Sequence, residues 1–86
     1  MQVAKTVVKE KVETISEREA IERAILFSVA RHRISPSNIL AVDVTENLGT
    51  FTVKLYLRGS PIAVVVEVEK NGGKVWDSWI RELFPE

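Results

Sequence analysis

A single histidine, His32, stands between Arg31 and Arg33. Imidazole is the commonest general base, but that work needs a carboxylate to orient the ring and a nucleophile within reach. The local sequence specifies neither, and a basic run at the end of a helix complements the helix dipole. Asp43, Glu67 and Glu69 form a second group, since paired carboxylates can exchange protons or hold a hard cation. Lys54 falls on the strand between them and neutralises them, so solvated ion pairs are the favoured reading. Arg31, Arg33, Lys54 and Arg58, with Tyr56 as a stacking platform, make a candidate nucleic-acid-binding set. Trp76 and Trp79 fit a ligand pocket, but a short chain also needs such aromatics to anchor its core. Gly49, Gly59, Gly72 and Gly73 mark turns, and no dinucleotide or P-loop pattern occurs. No catalytic residue, metal ligand, cofactor or small-molecule substrate is implied.

Composition narrows the classes further. The 86 residues suffice for one domain, 1–86. Lysine plus arginine number 12, as do aspartate plus glutamate, so the formal net charge is zero. Duplex-binding proteins usually carry a basic excess, because phosphate neutralisation drives their affinity. Without cysteine there is no disulfide and no thiolate metal site. Met1 to Lys11 mixes valine with lysine and glutamate and offers no apolar signal region. No stretch approaches the roughly 20 apolar residues of a membrane-spanning helix. A cytoplasmic protein is the expectation.

The elements that must position these side chains follow from periodicity. Residues 3–15 fit a strand by their valine and threonine content, and a helical stripe by spacing; the strand is favoured. Ser16 and Glu19 form a capping box, with Ile15 placed for a hydrophobic staple to Ala20. Ala20, Ile21, Ala24, Ile25, Ser28 and Val29 then make one buried helix face, widened by Leu26, Phe27 and Ala30. Pro36 ends the helix.

Three strands follow, over 39–45, 50–58 and 62–69. If Gly59-Ser60 is a two-residue hairpin loop, Leu57 faces Ile62, Leu55 faces Val64, Val53 faces Val66 and Phe51 faces Val68. If Glu46 to Gly49 is a four-residue loop, Phe51 faces Val44, Val53 faces Val42 and Leu55 faces Leu40. Both loops direct the same side chains inward, and a one-residue slip in either would reverse them. Asn71-Gly72-Gly73 is a further turn. Trp76, Trp79, Ile80, Leu83 and Phe84 then fit a helical stripe, with Asp77 or Ser78 as cap and Pro85 as stop; a short strand through Val75 and Trp76 before it is the alternative start. The reading is α+β: one helix on a three- to four-stranded antiparallel meander, in the order β-α-β-β-β-α.

The segment Ser16 to Trp76 resembles a PepSY-type, cystatin-like module. The matching stretches are S-E-R-E-A-I-E-R-A at the helix start, G-T-F-T-V-K-L-Y-L-R-G in the middle strand and V-V-V-E-V-E-K-N-G-G-K-V at the close of the sheet. The resemblance implies a small binding or inhibitory domain of the kind often attached to secreted peptidases. The order helix, three strands, helix also looks like the double-stranded-RNA-binding fold.

The derived register leaves Ile39, Ala41, Tyr56, Ala63 and Val65 on the outer sheet face, where a half-solvated sheet should be polar. Contiguous apolar surface usually marks a contact. The expectation is a non-enzymatic interaction module that meets a protein partner, or a second copy as a homodimer, through that face. The alternatives are cover from residues 3–12 or from the Trp79 and Phe84 stripe, and a nucleic-acid accessory role for the basic set.

Overall fold

The computed structural model describes residues 14–83. Helix α1 spans Glu17–His32. A single 3-10 turn at Pro36–Asn38 leads into strands β1 (Ile39–Glu46), β2 (Thr50–Leu57), β3 (Ile62–Glu69) and β4 (Val75–Glu82). The sheet is an antiparallel meander in the order β1-β2-β3-β4. The class is therefore α+β, with one helix on one face of a four-stranded open sheet. The strand expected over 3–15 lies outside the described residues, apart from Thr14, which bridges to Asn71, and Ile15, whose amide donates to the Lys70 carbonyl at 2.9 Å.

The helix begins as its sequence dictates. Ser16 Oγ accepts from the Glu19 amide at 3.1 Å, and Glu19 Oε1 accepts from the Ser16 amide at 3.0 Å. These contacts satisfy donors that the first turn cannot pair internally. The buried line is Ala20, Ala24 and Ser28, three small side chains that let the helix backbone sit close to the sheet. Ile21, Ile25 and Phe27 pack at its flanks. Leu26 and Ala30 do not widen this face, as the spacing suggested; both are exposed, Leu26 at 70%. Each lies more than a quarter-turn from the Ala20–Ser28 line.

Beneath the helix lie Phe51, Val53 and Leu55 of β2, with Val64, Val66 and Val68 of β3. The β2–β3 register pairs Phe51 with Val68, Val53 with Val66 and Leu55 with Val64, as the short-loop argument required. The β1–β2 register differs from expectation by two residues: Val42 faces Leu55 and Val44 faces Val53. The loop is tighter because Asn47 joins the ladder. Its amide donates to the Thr50 carbonyl at 2.8 Å, and its side chain donates to the hydroxyls of Thr50 and Thr52. A two-residue shift keeps parity, so the inner face survives.

The C-terminal helix does not form; residues 75–82 are strand β4. The cause lies in β3, whose Ala63, Val64, Val65 and Val66 are all buried, those on the outer face as much as those on the inner. Such a strand is central and needs a neighbour on both edges. Gly72 and Gly73, at φ 86° and 73°, turn the chain back to supply one. The order β-α-β-β-β-α, and with it the closing helix of the double-stranded-RNA-binding pattern, is thereby corrected over 75–82.

Candidate functional site: the outer sheet face

Side chains opposite one another across an antiparallel pair point to the same face, so the register maps the surface away from the helix. One row runs Ala41, Tyr56, Ala63, Arg81, and the next runs Asp43, Lys54, Val65, Trp79. A third runs Thr45, Thr52, Glu67, Asp77. The first two rows carry the apolar surface and the third is polar. Thr52 Oγ1 donates to Glu67 Oε2 at 2.7 Å, which fixes that polar row across β2 and β3.

Four of the five residues expected on this face are there: Ala41, Tyr56, Ala63 and Val65. Ile39 is not. The register shifts between Ile39 and Ala41, so Leu40 bulges out and Ile39 turns inward opposite Leu57, where it packs on the core. The Arg58 amide donates to the Asn38 carbonyl at 2.7 Å and holds this end of β1 in place. A bulge reverses the alternation at one point in a strand, which no count of residues in the strand foretells. Tyr56 is consequently flanked by Ala41 and Ala63, and Lys54 by Asp43 and Val65.

Ala63 and Val65 are buried although neither belongs to the cluster under the helix. Their neighbours across the sheet are long: Tyr56 and Arg81 beside Ala63, Lys54 and Trp79 beside Val65. Side chains of that length lie over short residues between them and present their own apolar parts outward. Trp79 remains 40% exposed, and Trp76, at a second register shift, 60%. The tryptophans are therefore surface residues. Sequence reasoning missed Trp79 as part of this face because it placed it on a helix.

The remaining candidates are dispersed. Tyr56 and Lys54 open on the outer face, while Arg31 sits at the end of the helix on the inner face. The sheet thus separates Arg31 from the strand cations, and Arg33 follows α1 as its left-handed cap at φ 59°. His32 Nε2 shares a hydrogen bond of 2.9 Å with Ser78 Oγ, which ties the helix end to β4. Phe27 packs edge-on to the His32 ring, with centroids 6.5 Å apart. Asp43 and Glu67 lie on different rows, with Lys54 directly opposite Asp43. Among the described residues no group of three metal-ligating side chains comes together, and no helix is long and apolar enough to cross a membrane. At the open end of the sheet, Lys70 Nζ meets Glu46 Oε2 at 2.7 Å and lies 5.4 Å from the Phe51 ring centre. Comparison with protein families, with curated proteins and with solved structures finds no match to this chain.

Proposed function

We propose that this chain is a non-enzymatic interaction module that meets a protein surface through the outer face of its sheet, the first partner to consider being a second copy of itself. The observation that carries this reading is the position of Trp79, 40% exposed and directly opposite buried Val65 on the face away from the helix. An exposed tryptophan on the same face as a tyrosine and short aliphatic residues is the composition of an interface centre, and charged residues at its margin suit a rim. Asp43 and Arg81, on the two edge strands, occupy such marginal places, while Lys54 stands inside the face between Asp43 and Val65. The resemblance to PepSY-type, cystatin-like binding modules supports the same class of function. A cytoplasmic setting is part of the proposal.

The test is light scattering coupled to size exclusion over a wide concentration range, with Tyr56→Asp and Trp79→Ser as probes. Association weakened by both variants supports the outer face as the working surface. Association that ignores both, or a wild-type chain that is monomeric and binds no protein, contradicts it.

A further inference from the structure

The free edge of β4 has a phase that can be read from its hydrogen bonds. The Leu83 amide donates to the Pro61 carbonyl at 2.8 Å, and β3 pairs Ala63 with Arg81, Val65 with Trp79 and Glu67 with Asp77. Bonded pairs recur at every second residue in an antiparallel ladder. The backbone groups of Asp77, Trp79 and Arg81 therefore face β3, and those of Ser78, Ile80 and Glu82 face away from the sheet. The Ser78 amide is engaged by the Asp77 carboxylate at 2.8 Å instead of by a strand.

We propose that two copies of this chain join through these outward groups, β4 against β4, around a two-fold axis at Trp79. This goes beyond the reading above, because the contact runs along the strand edge: it takes in Trp79 and leaves Tyr56, two strands away, uncovered. About that axis Ser78 lies opposite Ile80 of the second copy. The pair exchanges both of its backbone hydrogen bonds once the Asp77 carboxylate releases the Ser78 amide, and symmetry repeats it. Trp79 meets Trp79 of the second copy at a non-bonded position, where strands bring side chains closest. Asp77 lies opposite Arg81 of the second copy, again twice, on the same outer face. Offset aromatic pairs and opposite charges are both favourable cross-strand neighbours.

Only this register satisfies the side chains. Moving the axis to Ser78 sets Trp79 against Asp77, and moving it to Ile80 sets Asp77 against Leu83. On the inner face, Ile80, 52% exposed, would lie beside Ser78 of the second copy and the His32 bonded to it. The other edge does not compete. The charged residues of β1 are Asp43 and Glu46, both acidic, and its start is bulged at Leu40. Self-pairing of β1 about Asp43 would oppose like charges. Pairing β1 with β4 would be head-to-tail and would leave a free edge at each end of any two-copy assembly. The β4 dimer is closed, with eight strands in one sheet, both helices on one side and two outer faces joined on the other.

Charge exchange tests this on the full chain. Asp77→Arg alone sets like charges opposite each other, and so does Arg81→Asp alone; mixed, the two variants oppose opposite charges at both positions. Both side chains are exposed, so neither change reaches the core. Wild type is expected to move from 9.7 kDa toward twice that mass as concentration rises. Each single variant is expected to associate about tenfold more weakly or worse, with recovery in the equimolar mixture. Ile80→Pro removes an outward amide that β3 does not use and is expected to weaken dimerisation while leaving a folded monomer. A chain that stays monomeric, or a dimer indifferent to the charge exchange and to Ile80→Pro, overturns the edge pairing. If that indifferent dimer is broken by Tyr56→Asp, copies stack face to face, and the outer-face reading survives without this register.

Discussion

Replacing Ser28 with alanine should make the protein more stable. Ser28 lies fully buried on the face of α1 that meets the sheet, and its hydroxyl oxygen finds no hydrogen-bond partner among the described residues. A buried hydroxyl without a partner costs about 1–3 kcal/mol. Alanine is a better helix former by roughly 0.5 kcal/mol. Against these gains, the oxygen-sized void left behind costs about 0.5 kcal/mol. The balance is a stabilisation of about 1–3 kcal/mol, or a rise in Tm of about 5 °C or more for a domain of this size. Urea unfolding followed by circular dichroism reads it as a higher midpoint with an unchanged slope. Ser28→Leu provides the contrast: overpacking a close helix–sheet contact should cost about 1–3 kcal/mol. A Ser28→Ala protein no more stable than wild type would refute the reasoning, because the hydroxyl would then be satisfied.

Leu55→Ala, at a fully buried position on β2, is expected to cost about 2–5 kcal/mol in the same unfolding experiment. Ser16→Ala removes one half of the capping box and should lower stability by about 0.5–2 kcal/mol, with helix content falling at the N-terminal turn. Gly73→Ala is strained twice, by its φ of 73° and by a Cβ that would stand 2.6 Å from Arg23 Nε. Because the arginine end can swing aside, the backbone sets the cost, about 1–2 kcal/mol, read as a lower Tm.

The parts of this fold that were legible in the sequence are those governed by neighbours along the chain. The Ser16–Glu19 box fixed the helix start, and the short Gly59-Ser60 connection fixed the β2–β3 register residue by residue. Where one extra residue enters a ladder, counting fails. The bulge at Leu40 turns Ile39 from the outer face to the core, and the Asn47 contacts make the β1–β2 loop shorter than residue counting predicts. The largest error concerned β4. Spacing in W-D-S-W-I-R-E-L-F satisfies a helix and a strand alike, so local pattern could not decide it. The deciding signal lay elsewhere, in the unbroken I-A-V-V-V of β3, which only a central strand can bury on both faces. That misplacement also hid Trp79 from the surface whose other apolar members, Ala41, Tyr56, Ala63 and Val65, were found.

Amide chemical shifts followed through a dilution series bear on the surface itself, residue by residue. If copies meet through the sheet, changes with concentration should gather at Trp79, Ile80 and Arg81 and extend to Val65, leaving the solvent side of α1 around Leu26 unmoved. Changes centred on Leu26 and Ala30, or a spectrum identical at every concentration in a chain that binds no other protein, would contradict the account.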